Sequence, residues 1–292
     1  MNKWTKIKQG KTREVWKSKN GKCIALVAGD NISACDRRLQ DIVIPDKGIL
    51  QTKMSAKWFK LIENKVPDAL LASDVKDMPR IFRNSYFEGR TTEMIALKML
   101  PIEAVVRGYV TGSMWEKFCK GGRKICDFEM PEGIFEAQRL EKPIYTPTTK
   151  AGEGEHDQEL TFDETAFAIE RAGFDHALDL ASLVRDYSLQ LYQFCSEYAE
   201  SRGLILADTK FEFGVDEEGI LRVTDELCTP DSSRFWRYAD YIPGDSQISL
   251  GTWIIRDWLK QTMEGNKIPR VPENIIKQAA NTYGQCYKYL FG

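Results

Sequence analysis

Asp208, Lys210 and Glu212 alternate along LADTKFEFG, and Asp225 and Glu226 follow after a short acidic turn. Residues spaced by two leave the same face of an extended chain, so the first three side chains share one side of a strand. Carboxylates on adjacent strands with a lysine among them suit a divalent metal and phosphate oxygens. Hard cations take oxygen ligands, and Mg²⁺ usually takes one or two carboxylates plus substrate phosphates. Asp231 and Arg234 follow in TPDSSRFW, which carries more polar groups than the end of a hairpin needs. The simpler reading is a half-buried hairpin with one solvated face.

Two further stretches could hold anions. Near the start, Gly10, Lys11, Thr12 and Arg13 form the tip of an expected hairpin. A glycine-hinged tip with a basic rim can lie over phosphates, its backbone N–H groups and Lys11 facing the charge. It is not a phosphate-binding P-loop, because Thr5 stands where that pattern needs a glycine and no helix follows. In PIEAVVRGYVTGSMW, Arg107 follows a strand and Ser113 opens a helical run. A helix start with free N–H groups, a hydroxyl and a nearby arginine is an anion site; a serine that merely caps the helix is the plainer alternative.

The elements that must position these groups can be read in order. Leu204 to Trp236 reads as the hairpin carrying the acids, with Asp225 on its return strand. Lys6 to Trp16 reads as strand, turn, strand, and Cys23 to Ala28 as a buried strand. Asn31 to Asp36 reads as a polar turn, and Asp36, Arg37 and Arg38 as either a ligand-facing loop or plain solvated charge. Ile42 to Ile44 reads as a short strand and Ile49 to Asn64 as a helix. Strands are expected around Arg80 to Phe82 and Thr92 to Lys98. Met99-Leu100-Pro101 marks a boundary between a mainly antiparallel part and a helical one, giving lobes 1–98 and 99–292. Asp127 to Glu159, with Lys150 and His156-Asp157, reads as a long loop. Helices are expected from Thr161 to Ala172 with a Thr161/Glu164 capping box, and from Asp175 to Arg202, closed by Gly203. Two more are expected from Ser249 to Met263 and from Glu273 to Leu290, with Trp253, Ile254 and Trp258 read as packing.

Composition narrows the class. The chain has 292 residues, 42% hydrophobic and 29% charged, with a net charge of −2. That is a globular composition with no general pull toward nucleic acid or an anionic membrane. No apolar run approaches the roughly 18 residues of a membrane span, and the start lacks a signal peptide's apolar stretch. Seven scattered cysteines without a CxxC pair read as reduced thiols of a cytoplasmic protein. With two histidines in no ligand spacing, histidine-centred catalysis is not expected.

LPIEAVVRGYVTGS and LADTKFEFG resemble the two signature segments of the SAICAR synthetase family, which acts in purine biosynthesis. QGKTREVW, SACD with IPDKG, PTTKAGEGEHD and DELCTPDSSRFW agree in the family's order, from Lys8 to Trp236. Cys35 departs where an aromatic is frequent and Asp46 where a glycine is frequent; neither removes a chemical group. The resemblance implies an α+β fold of two lobes: an antiparallel N-terminal sheet with a helix, a larger α/β C-terminal lobe, and ATP in the cleft, distantly like protein kinases and ATP-grasp enzymes. It implies that CAIR, L-aspartate and ATP give SAICAR, ADP and phosphate with Mg²⁺, through an acyl phosphate. Residue by residue, Gly10, Lys11, Arg13 and Lys150 would face ATP, Lys210 would add catalytic positive charge, and Glu212 and Asp225 would hold Mg²⁺. Arg107, Ser113 and Arg234 would bind the ribotide, Asp208 and Asp231 would orient the aminoimidazole, and Asp36 would lie near the amino-acid end. A homo-oligomer is compatible with this reading. A small-molecule kinase of the same shape and a non-catalytic nucleotide-binding protein are the rival readings; loss of Glu212 or Asp225 would mark the latter, and both are present.

Overall fold

The computed structural model describes residues 3–34, 37–150, 157–263 and 268–292. The chain opens as a meander: β1 (Trp4–Gln9), β2 (Arg13–Ser18) and β3 (Cys23–Ala28). A hairpin of β4 (Asn31–Ala34) and β5 (Arg37–Val43) follows, then helix α1 (Lys47–Leu61), β6 (Leu70–Ala72) and β7 (Thr91–Ile95). The first sheet runs β1-β2-β3-β7-β6, antiparallel at each pairing. The unbroken apolar run CIALVA, buried over its last four residues, suits β3 to the middle of that sheet.

The second sheet begins with β8 (Lys98–Met99), which straddles position 98/99, and β9 (Ile102–Tyr109). Helix α2 (Gly112–Cys119) and the small hairpin β10 (Lys124–Ile125) and β11 (Phe128–Glu129) precede β12 (Arg139–Tyr145) and β13 (Thr148–Thr149). Helices α3 (Phe162–Arg171) and α4 (Ala177–Ser201) lead into β14 (Leu204–Val215), β15 (Leu221–Thr224) and β16 (Ser233–Arg237). Helices α5 (Trp253–Thr262) and α6 (Glu273–Phe291) end the chain. Strand β14 pairs antiparallel with β8, β9, β15 and β16, so it is the axis of the larger lobe.

Helix α4 buries Ala181, Val184, Leu191, Cys195 and Ala199, spaced by three, seven, four and four, against that sheet. Helix α3 starts with the expected capping box: Thr161 accepts from the Glu164 N–H at 3.2 Å while Glu164 accepts from the Thr161 N–H at 2.8 Å. Trp58 of α1 meets Tyr198 of α4 and Phe291 of α6 edge-on at 5.2 and 5.4 Å. Such pairs bury large apolar faces in a favourable quadrupole arrangement and fasten α1 to the terminal helix. Among the described residues, no helix is long and apolar enough to cross a membrane.

Several expectations change. The turn expected at 31–36 is strand β4 as far as Ala34, paired through Ser33 with Arg38. Arg80 to Phe82 is a 3₁₀ turn: Phe82 N–H donates to the Pro79 carbonyl, and the ring plugs a cluster with Trp4 and Phe87. A lone buried aromatic mimics a strand residue without needing a partner strand. The expected loop at 127–159 contains β11, β12 and β13. Strand β12 lies at a sheet edge and is largely exposed, so pairing with β9 does not require the apolar alternation that betrays a strand.

Candidate active site

A cleft of about 1200 Å³ lies between the sheets. Its lining includes Gly10, Lys11, Arg13, Arg107, Ser113, Lys150, Asp208, Lys210, Glu212, Asp225, Asp231 and Arg234. These are the sequence-derived candidates except Asp36, which falls outside the described residues.

Register explains one end. Asp208 on β14 is opposite Arg107 on β9 and Arg234 on β16, so one carboxylate sits between two guanidiniums. Its Oδ2 accepts from Arg107 Nη1 at 3.3 Å and Arg234 Nη1 at 2.5 Å. Two cations on one anion leave a local charge of +1, and the arginines repel each other. Burial, followed by the nearby Arg234, lowers the Arg107 pKa, partly offset by Asp208. An incoming anion relieves both costs. Arg107 Nη2 also donates to Ser113 Oγ at 3.0 Å, and Nε to Thr146 Oγ1 at 3.0 Å.

Ser113 is not the expected N-cap. Thr111 holds the extended cap backbone, Ser113 lies within the first turn, and no side chain caps the N–H groups. The helix start stays open beside Arg107. Gly112 is left-handed at φ +56, and a Cβ there would stand 2.5 Å from Arg234 Nη2. The glycine lets the helix start approach that guanidinium. Arg234 lies over Trp253, its guanidinium carbon 3.7 Å from the ring centroid, and Arg256 approaches the same indole at 4.5 Å. Trp253, expected to be packing, therefore lines the cleft and orients an arginine.

Four residues along β14, roughly 13 Å by strand rise, a second set gathers. Lys210 Nζ bonds Glu103 at 2.7 Å, and Lys150 pairs with Glu212. Burial disfavours both ammonium groups, but the carboxylates outweigh it: Glu103 and then Glu212 raise the Lys210 pKa, and Glu212 raises that of Lys150. Glu212 is opposite Thr224, one residue before Asp225. Asp225 has a left-handed backbone at φ 65, an uncommon conformation for a non-glycine residue, at a functional turn. Arg13, expected at phosphates, instead donates to Asp225 at 2.5 Å and Glu226 at 2.7 Å. Burial opposes the Asp225 carboxylate, but Arg13, Lys150 and Lys210 hold its pKa below the usual range. The glycine tip is held by Gly10 N–H to the Arg13 carbonyl at 2.7 Å and Gly29 N–H to the Thr12 carbonyl at 2.8 Å.

Asp231 forms a third cluster. Lys47, the first residue of α1, reaches its Oδ2 at 2.6 Å, and Thr252 Oγ1 and the Tyr283 hydroxyl donate to Oδ1. Burial works against this carboxylate too, but Lys47 and the two hydroxyls bring its pKa down to about 2. Reading for period missed Lys47, Glu103, Thr252, Tyr283 and Arg256. Lys47 falls just before the helix expected from Ile49, Tyr283 sits on a helix face that reads as core, and Glu103 hides inside an apolar strand.

Among the described residues, no three metal-ligating side chains cluster. Glu212 on β14 and Asp225, one residue past β15 and not on the return strand as expected, offer hard oxygen donors, a pair that fits Mg²⁺ only with phosphate oxygens completing the shell.

Comparison with known proteins accords with this geometry. The SAICAR synthetase family model matches residues 6–271. The phosphoribosylaminoimidazole-succinocarboxamide synthase of Lachnospira eligens is 39% identical over 292 residues, covering 100% of this chain and 97% of its own. That of Thioalkalivibrio sulfidiphilus is 40% identical, covering 98% and 94%. A solved SAICAR synthase from Saccharomyces cerevisiae, complexed with SAICAR, superposes with a TM-score of 0.80 at 34% identity, over 98% of this chain and 94% of that one. A SAICAR synthetase in complex with ADP, 20% identical with a TM-score of 0.70, shares the fold over 98% and 97%. The chain belongs to the SAICAR synthetase family.

Proposed function

We propose that the cleft divides the family's reaction along β14, with the ribotide at the Asp208 end and Mg-ATP at the Glu212 end. The reaction is the ATP-dependent joining of L-aspartate to the carboxylate of CAIR in purine biosynthesis, giving SAICAR, ADP and phosphate. The observation that carries this division is the placing along one strand of an arginine cluster suited to an anion at Asp208 and a carboxylate pair suited to a cation at Glu212, with Lys210 between them. The SAICAR carried by the yeast relative and the ADP carried by the more distant one agree in kind with two such subsites.

A carboxylate resists acyl transfer because oxide is a poor leaving group. In this mechanism a CAIR carboxylate oxygen attacks the γ-phosphorus of ATP; the new O–P bond forms as the bond to ADP breaks. The aspartate nitrogen, already a neutral amine after losing a proton to solvent, then attacks the acyl carbon; phosphate leaves with the C–O bonding pair and takes up the proton that the new amide nitrogen gives off. Protein groups act by position and charge. Arg107, Ser113 and Arg234 hold the ribotide, while Asp208 and Asp231 accept N–H donors of the aminoimidazole. Lys210, kept charged by Glu103, faces charge developing at the transferred group, and Lys11 and Lys150 offset the remaining phosphates. Mg²⁺, held by Glu212 and Asp225, supplies Lewis-acid neutralisation of phosphate charge. Residues 1–98 act as the lobe that covers the nucleotide. The cytoplasm is the compartment this reading assigns, in keeping with the six described cysteines, all free thiols.

The deciding assay is ADP formation with CAIR, with and without aspartate. Sustained turnover should need both; sustained ADP release on CAIR alone, or on an alcohol, would remove the reading.

A further inference from the structure

Asp231 is tied to three separate parts of the chain, and one lies beyond the residues that the family model matches. Helix α6 begins at Glu273, whereas the match ends at residue 271. From α6, Tyr283 is fully buried and its hydroxyl donates to Asp231 Oδ1. Beside it, Thr282 Oγ1 accepts from the Gly251 N–H at 2.9 Å, fixing the backbone that presents Thr252. Thr252 Oγ1 donates to the same Oδ1 at 2.5 Å. Lys47 holds Oδ2 at 2.6 Å and has no exposed surface. The aspartate side chain keeps 10% of its exposure and lines the cleft.

This arrangement exceeds what stability requires. A buried ion pair is at best weakly stabilising against apolar packing, because both charges are desolvated. Here the cluster spends a buried lysine, a threonine and a tyrosine on one cleft-facing carboxylate. Oδ1 receives two donors and Oδ2 one, so the plane of the group is set, and a lone pair of Oδ2 remains for a further donor. Burial, together with Asp231, keeps the Tyr283 hydroxyl protonated and able to donate to Asp231, while its oxygen is also in hydrogen-bond contact with Thr252 Oγ1.

We propose that Tyr283 of α6, with Thr252 and Lys47, is a positioning residue that orients Asp231 toward the ribotide, making the C-terminal helix part of the CAIR site. The inference rests on the reading of Asp231 as an acceptor for CAIR. Tyr283 touches no substrate; it acts through Asp231.

A double-mutant cycle on steady-state kinetics tests this. Tyr283→Phe should raise the KM for CAIR about tenfold, the size expected for one hydrogen bond to a charged group, and leave the KM for ATP within about twofold. In the Asp231→Asn background the same change should shift the CAIR KM by less than about twofold, since residues that act through one another are not additive. Thr252→Val should resemble Tyr283→Phe, and Thr252→Ser, which keeps the hydroxyl, should stay near the parent. A purely structural role would instead lower the melting temperature and shift both KM values together, or neither. An undiminished Tyr283→Phe effect without Asp231 overturns the inference. So does a large effect of Asp231→Asn alongside a silent Tyr283→Phe, which would leave the CAIR reading standing. An unchanged CAIR KM in Asp231→Asn removes the inference together with the reading of Asp231. Should Asp231→Asn fail to fold, with Lys47 left unpaired, calorimetric CAIR binding to the two Thr252 variants decides. Equal losses for Val and Ser count against the proposal, and loss for Val alone supports it.

Discussion

Arg107 shows how one side chain joins fold and chemistry. Buried between Asp208, Ser113 and Thr146, it presents paired donors matched to a phosphate or carboxylate, where lysine would offer a point charge. A charge-assisted contact contributes on the order of 1.5–3 kcal/mol, roughly tenfold to hundredfold in binding. Arg107→Ala should raise the KM for CAIR by about that factor, with Arg107→Lys recovering only part. A rise confined to ATP or aspartate would put the ribotide elsewhere. Ser113→Ala should cost less affinity and change stability by no more than about 0.5 kcal/mol, because Ser113 is not the cap; urea unfolding of the variant checks this. At the other end, Glu212→Gln and Asp225→Asn should each raise the Mg²⁺ needed for half-maximal ADP release; Glu212→Gln should leave the melting temperature little changed, whereas Asp225→Asn, which also weakens the tie to Arg13, should lower it. Near-normal turnover at low Mg²⁺ in either variant contradicts the metal assignment.

At the scale of elements, β14 spaces the chemistry and the start of α2 narrows it. Gly112→Ala imposes a side chain at φ +56 and drives its Cβ against Arg234. The left-handed backbone should cost about 1–2 kcal/mol of stability, and displacement of Arg234 should weaken CAIR binding more than ATP binding. Parallel unfolding and KM measurements separate the two effects, and unchanged CAIR binding would show that the close approach is dispensable. Helix α1 has a double duty: Lys47 serves the cleft while Trp58 fastens the helix to α4 and α6. Trp58 is fully buried, so Trp58→Ala should cost about 3–5 kcal/mol in denaturant unfolding. A cost below about 1 kcal/mol would mean that the aromatic cluster collapses around the gap.

Across the whole molecule, the lobes share strand pairings and ion pairs. The Ala69 N–H donates to Val223 of β15 at 3.0 Å, and Arg13 of the first sheet reaches Asp225 beyond β15. These ties make acid a test of the assembled fold. Asp231 is lowered from 3.8 to about 2 by its folded-state partners. A depressed carboxylate contributes stability that is fully present above the unfolded value and lost as pH falls through the folded one. At about 1.4 kcal/mol per unit, this group should contribute about 2 kcal/mol above pH 4 and progressively less toward pH 2. Between pH 5 and pH 2.5 the parent should lose about 1–2 kcal/mol of unfolding free energy relative to Lys47→Met/Asp231→Leu, whichever of the two is the more stable at pH 5. Parallel curves would mean that Asp231 titrates alike folded and unfolded.

By itself the sequence determined the acidic hairpin, the long amphipathic helices and the Thr161 capping box, and it singled out part of the polar lining of the cleft. Those features depend on neighbours within a turn or a strand pair, where period and residue type carry the information. The alternation of Asp208, Lys210 and Glu212 is legible because a pleat forces it. Tertiary structure alone decided which charges meet. Asp208 lies between Arg107 and Arg234 because β9 and β16 flank β14 in one register, yet the partners stand 101 and 26 residues away. Tyr283 looks like a core position, and Lys47 like a residue ahead of its helix, until α1 and α6 converge on Asp231, since helical period marks a buried face without naming what lies opposite. The edge strand β12 escaped notice for a related reason: its pairing rests on backbone hydrogen bonds, which every residue but proline can donate and side-chain pattern does not record.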